Sequence, residues 1–237
     1  MEKQERSMPY SNSQAYQWVL FDADETLFQF DAPRGLKLMF SRQGVDFSDA
    51  DYAEYQQTNM PLWVAYQDGK ISASELQLTR FSHWAKRLGR TPFELNSAFM
   101  TAMADICEPL PGAAELLDSL RGRARLGIIT NGFTELQQVR LQKTGFAEHF
   151  ELLVISEEVG LAKPDPGIFE HALTKMQQPE RKRVLMVGDN PHSDILGGLK
   201  AGLDTCWLNV KGEAAPEGIK PHIEVRSLSE LQKQLCN

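Results

Sequence analysis

The sequence predicts an α/β protein: a Rossmann-like three-layer core with a mainly parallel sheet, and an all-helical domain inserted after the first strand. From Ala124 onward, short apolar runs alternate with amphipathic segments, the pattern of βαβ units whose strands are covered on both faces. One further apolar run, Trp18-Val19-Leu20-Phe21, stands far upstream of them. Between the two, from about Gln29 to Ile106, apolar residues recur at helical spacing with almost no strand signal.

Each element has a local reason. Trp18 to Phe21 is too short for a helix and rich in aromatic and branched residues, so it reads as a buried strand. In the insert, Leu36, Met39 and Phe40 share a helical face, and Ser72-Ala73-Ser74-Glu75 is a capping box opening one helix that runs to Gly89. Thr91-Pro92 starts another, and Glu108 to Gly112 reads as the return hinge. Strands are expected at Arg125–Thr130, Leu152–Ile155, Val184–Val187 and, as the last, Thr205–Leu208. The helices between them are expected at Thr134–Lys143, stopped by Gly145, at Pro166–Met176, and at about Ser193–Ala201. Ser227-Leu228-Ser229-Glu230 caps a short terminal helix. The expected organisation is an irregular lead over residues 1–16, a core of residues 17–28 and 107–237, and a helical cap of residues 29–106.

Composition narrows the function. A 237-residue chain with 42% hydrophobic and 24% charged residues suits a globular protein with a substantial core. A net charge of -7 argues against a phosphate-backbone binder, so no nucleic-acid partner is expected. No run is long enough to cross a bilayer, and the polar N-terminus lacks the apolar stretch of a secretory signal. The three cysteines, Cys107, Cys206 and Cys236, form no metal-ligand or disulfide pattern. A cytoplasmic protein, monomeric or weakly dimeric, is the expectation.

The chemistry concentrates where strands end. Asp22 and Asp24 follow the first strand one residue apart. Two like charges held close repel unless a cation intervenes or one is protonated. Such a pair suits a Mg²⁺ site, or a division of nucleophile and acid/base roles between two carboxylates. Thr130-Asn131-Gly132 ends the second strand, and its hydroxyl, amide and backbone N–H groups suit an anion. Lys163-Pro164-Asp165-Pro166 follows the third strand, where Lys163 suits a phosphate and Asp165 reads as a cap. Gly188 to Asp194 follows the fourth and adds Asp189 and Asp194. Thr26 reads as a residue that bonds its own loop.

This combination, in this order and over nearly the whole chain, resembles the haloacid-dehalogenase superfamily of phosphohydrolases. Asp22-Ala23-Asp24-Glu25-Thr26 is similar to its first motif, Thr130-Asn131-Gly132 to its second, Lys163-Pro164 to its third, and Gly188-Asp189 through Asp194 to its fourth. The helical insert falls where subclass I carries its cap. The wording Asp22 to Leu27 and the segment Met60 to Tyr66 resemble the bacterial pyrimidine 5'-nucleotidases.

The resemblance implies Mg²⁺-dependent hydrolysis of a small phosphate ester, most specifically a pyrimidine nucleoside monophosphate. Asp22 would be the nucleophile and form an aspartyl-phosphate; Asp24 would protonate the leaving oxygen and then accept a proton from water. The implied metal ligands are the carboxylates of Asp22 and Asp189 with the Asp24 main-chain carbonyl, with Asp194 orienting the set. Lys163, Thr130, Asn131 and Gly132 would bind the phosphoryl group, and Phe133 and Trp63 are candidates to meet the base. The same motifs also suit a phosphatase for glycolate or sugar phosphates, or a phosphomutase. A phospho-accepting signalling receiver is a remote alternative, since it has no use for the insert. A dehalogenase has no need of Asp24 or Mg²⁺.

Overall fold

The computed structural model describes residues 16–236. The expected irregular lead lies outside the described residues, apart from Tyr16. Strand β1 is Trp18–Phe21, with all four residues buried. Five helices follow: α1 (Ala32–Ser41), α2 (Asp49–Gln67), α3 (Ala73–Thr79), α4 (Ser82–Leu88) and α5 (Pro92–Asp105). Helix α6 (Ala113–Leu120) leads into β2 (Arg125–Thr130), and α7 (Thr134–Thr144) into β3 (Leu152–Ile155). Then come α8 (Ser156–Val159), α9 (Pro166–Lys175), β4 (Val184–Gly188), α10 (Leu196–Lys200), β5 (Asp204–Leu208), β6 (Ile223–Val225) and α11 (Leu228–Cys236).

The strands form one six-stranded sheet in the order β3-β2-β1-β4-β5-β6, parallel throughout. First in sequence, β1 is central in space, between β2 and β4. The order reverses beside it, which is where open α/β sheets bind ligands. One apolar layer packs Val19, Phe21, Ile128 and Val187 against α6 and α11. The other packs Leu20, Ile129 and Met186 against Phe169 and Leu173 of α9. Gly127 is required by close packing: a Cβ there would lie 2.8 Å from Leu20 Cδ2 and 3.1 Å from Leu152 Cβ.

Helices α1–α5 bury a core of their own around Phe40, Phe81, Trp84 and Phe99. Capping boxes at Ser48, Ser72 and Thr91 start α2, α3 and α5. The helix expected to run unbroken from Ser72 to Gly89 is instead two, broken at Arg80 and Phe81. The break lets both side chains turn into the cap core, where Arg80 meets Asn96 and Phe81 meets Phe99. Two further differences concern the sheet's second half. Thr205–Leu208 is not the last strand, because the three residues of β6 pair beyond it; so short a run shows no periodicity. The helix expected from Ser193 opens as a π-helical turn, Pro191–Ile195, before α10. Such turns recur at functional sites.

Leu20 is fully buried at the sheet centre. Leu20→Ala is expected to cost about 2–5 kcal/mol of stability, the range for a buried leucine whose cavity does not collapse. The midpoint of urea unfolding checks this.

Candidate active site

Three adjacent parallel strands end on one edge, so the segments that follow them meet there. Asp22 leaves β1 with its N–H bonded to Val187 O of β4 at 2.8 Å. Thr130 closes β2, and Asp189 follows β4. Lys163 enters from the loop between α8 and α9 and is almost completely buried. Its ammonium finds three acceptors: Asp22 Oδ1 at 2.5 Å, Asp194 Oδ1 at 2.7 Å and Ile129 O at 2.7 Å. Burial opposes its charge, but the Asp194 and Asp22 carboxylates outweigh that and hold the ammonium above the ordinary lysine range.

Asp22, Asp189 and Asp194 each offer a carboxylate oxygen, all within 4.8 Å of one another. Burial pushes Asp22 up to about 7, with Asp194 and Asp24 adding to the push and Lys163 opposing it. Burial and the neighbouring Asp194 and Asp22 charges push Asp189 up to about 8. Three carboxylates meet here, and the Lys163 ammonium pairs with two of them, Asp22 and Asp194, so the ionised group carries surplus negative charge. An all-oxygen donor set with surplus negative charge fits a hard divalent cation such as Mg²⁺.

The supporting contacts include several that the sequence did not disclose. Thr26 does not bond its own loop as expected: its hydroxyl accepts from Asp189 N–H at 3.1 Å and lies 3.4 Å from Asp189 Oδ1. Trp207 Nε1 of β5 donates to Asp189 O at 2.8 Å. Asn131, expected at the phosphoryl group, has both ends of its amide on the Lys163 backbone: Nδ2 donates to Lys163 O at 2.9 Å, and Oδ1 accepts from Lys163 N–H at 2.7 Å. Thr130 Oγ1 accepts from Gly132 N–H at 3.0 Å. A Cβ at Gly132 would fall 2.3 Å from Gln137 Nε2, so a side chain there would displace the Gln137 amide. Gly188 lets Asp194 tuck under the strand end; a Cβ there would lie 2.2 Å from Asp194 Oδ2. Asp165 is the N-cap of α9, as expected.

Asp24 stands apart from the carboxylate cluster, with its Oδ1 accepting from Arg140 of α7, a residue the sequence reading did not single out. Phe133 is buried, with the Trp63 ring at 5.4 Å and the Arg80 guanidinium at 5.1 Å, so it joins the cap to the core. Tyr66 Oη donates to Ser156 Oγ at 2.7 Å across the same junction. Behind it, a cleft of about 740 Å³ runs from Tyr66 and Ser72 of the cap to Glu157 and Pro164 of the core. The carboxylate cluster lies outside that cleft.

The profile of the haloacid dehalogenase-like hydrolases matches residues 16–202. The chain belongs to this family. Among the relatives of this hydrolase is the pyrimidine 5'-nucleotidase YjjG of Escherichia coli, 56% identical over 93% of this chain and 98% of that protein. The pyrimidine 5'-nucleotidase PynA of Streptococcus pneumoniae is 34% identical over 91% of this chain and 93% of its own. Among solved structures, the putative HAD-hydrolase YfnB of Bacillus subtilis, bound to magnesium, aligns with a TM-score of 0.82 at 31% identity, covering 94% of this chain and 99% of that one. Among the described residues of the hydrolase, no helix is long and apolar enough to cross a membrane.

Mg²⁺ at a hundredfold excess over its Kd is expected to raise the Tm by about 5–10 °C, from the linkage free energy and the usual entropy of unfolding at this size. Chelation should reverse the shift, and Asp189→Asn should remove most of it. A wild-type melting curve indifferent to Mg²⁺ refutes the metal assignment.

Proposed function

We propose that this hydrolase is a Mg²⁺-dependent phosphomonoesterase acting on nucleoside 5'-monophosphates, with a preference for pyrimidines. The observation that carries the reading is the convergence of Asp22, Lys163, Asp189 and Asp194 at one sheet edge. The finer choice of substrate is supported by near full-length similarity to two pyrimidine 5'-nucleotidases. In this reading residues 29–106 form a cap that covers the site and meets the leaving group.

The nucleophile is a carboxylate oxygen of Asp22. It attacks phosphorus, the bond from phosphorus to the ribose 5'-oxygen breaks, and Asp24 supplies the proton that the departing oxygen takes. The aspartyl-phosphate is an acyl phosphate and readily hydrolysed. Asp24 takes a proton from the attacking water, inorganic phosphate leaves, and Asp22 is restored.

Charge is the main obstacle, because an anionic nucleophile approaches an anionic ester. Two unit charges at ~4 Å repel by about 4 kcal/mol at an effective dielectric of 20. Lys163 sits beside Asp22 and offsets part of this. Asp22 and Asp189, with the Asp24 main-chain carbonyl, would hold Mg²⁺ and Asp194 would orient the set; the bound ion would supply further positive charge to the transferring phosphoryl group. The Thr130 hydroxyl, which accepts from Gly132 N–H and keeps its own proton to donate, binds a phosphoryl oxygen. The Asn131 side chain acts by positioning Lys163, on which both ends of its amide are spent. Positioning and charge stabilisation are most of what phosphoryl transfer requires. Trp63, only partly buried, is the cap residue assigned to the base.

In a panel of phosphate esters assayed with Mg²⁺, kcat/KM for deoxypyrimidine monophosphates is expected to exceed that for adenosine monophosphate and sugar phosphates by about tenfold or more. Equal turnover across the panel removes the nucleotide preference. Asp22→Asn should abolish turnover with the fold intact by circular dichroism; near-normal activity refutes its role. Trp63→Ala should cost on the order of tenfold in kcat/KM for pyrimidine nucleotides, and an equal loss on sugar phosphates removes its part in base selection.

A further inference from the structure

Arg140 is a buried arginine in α7, only 1% exposed. Its Nη1 donates to Asp24 Oδ1 and its Nη2 to Gln137 Oε1. The guanidinium lies over the Phe28 ring at 4.6 Å, and its Nε has no partner. A planar guanidinium locked by two bonds and an aromatic face is a rigid fixture, so whatever it binds is held in one orientation. What it binds is half of Asp24. The Asp24 side chain keeps 29% of its surface exposed. Its other oxygen, Oδ2, faces the Thr130–Gly132 turn, because a Cβ at Gly132 would lie 3.4 Å from it. One oxygen is therefore tied to Arg140 and the other lies beside the Thr130–Gly132 turn.

We propose that Arg140 is a positioning residue for the reaction: by holding Asp24 through Oδ1, it makes Oδ2 the oxygen that passes a proton to the leaving group and takes one back from water. This rests on the reading of Asp24 as the acid/base given above. As the Asp22–phosphorus bond forms and the ester bond breaks, the Oδ2 proton moves to the departing oxygen. In the second half, Oδ2 receives the proton of the attacking water as inorganic phosphate is released. A carboxyl free to rotate would offer either oxygen at varying distance, and misplacement by about 1 Å is enough to cost roughly a hundredfold in rate. Gln137 shares the arrangement by accepting from Nη2, and α7 carries both residues.

The test uses leaving groups of similar shape and different basicity. Phenoxide needs a proton more than 4-nitrophenoxide does, so loss of acid catalysis falls harder on phenyl phosphate. The value read is the ratio of kcat/KM for phenyl phosphate to that for 4-nitrophenyl phosphate, with Mg²⁺, in wild type, Asp24→Asn, Arg140→Met and Arg140→Lys. Both assays use one preparation, so any misfolded fraction cancels. The ratio is expected to fall roughly tenfold or more in Asp24→Asn and Arg140→Met, given the usual worth of a general acid. Arg140→Lys should fall between, since it keeps the charge and loses the fork. A wild-type ratio in Arg140→Met beside a lowered ratio in Asp24→Asn overturns the proposal, even if both activities drop. A wild-type ratio in Asp24→Asn refutes the acid role of Asp24 itself, and the proposal falls with it.

Discussion

A single buried ammonium organises the site. Lys163 brings a positive charge into an almost solvent-free place and spends its three N–H donors on Asp22, Asp194 and Ile129 O. Removing one partner of a buried ion pair typically costs about 3–5 kcal/mol, because the remaining charge is stranded. The three acceptors come from after β1, after β4 and from within β2, so the lysine ties three strand ends together. With Lys163 gone, the carboxylates would face one another with nothing between them. With it present, one ammonium still stands against three carboxylates, and burial raises the Asp22 and Asp189 carboxyls further. That residual deficit is what makes the cluster receptive to a cation and, beyond it, to a phosphate.

Around this charge the chain uses small, specific fixtures. Asn131 grips both backbone groups of Lys163, so the anion turn and the lysine loop are tied to each other. Thr26 and Trp207 hold Asp189 from two sides. At Gly188 the Asp194 side chain occupies the space a Cβ would need, and at Gly132 the Gln137 amide lies in it. The cap is attached through Phe133, one residue beyond the turn, which sits between Trp63 and Arg80. Arg80 is itself a buried cation, hydrogen-bonded to Asn96 and surrounded by the rings of Phe81, Phe99 and Phe133. The helix break that places it there links cap packing directly to the phosphate turn.

Much of this was legible from local chemistry. Buried parallel strands announce themselves as short apolar runs, and capping boxes mark helix starts, because both depend on residues within a few positions of one another. The acids after β1 and β4, the Thr130 turn and Lys163 stood out for the same reason: polar groups at the ends of apolar strands are conspicuous. Strand β6 was not legible, since three residues carry no period. The α3–α4 break was hidden because the contact that accompanies it, Arg80 donating to Asn96, reaches into another helix.

By itself, then, the sequence determined the class of fold, the place of the helical insert and the inventory of reactive groups. Only the tertiary structure decided their partners. Thr26 bonds a residue 163 positions away and Arg140 one 116 positions away, and nothing local in either segment specifies that choice. Side-chain pairing across a sheet follows from strand order and register, which place β1 between β2 and β4. A buried donor must find its acceptor there or bear the cost of desolvation.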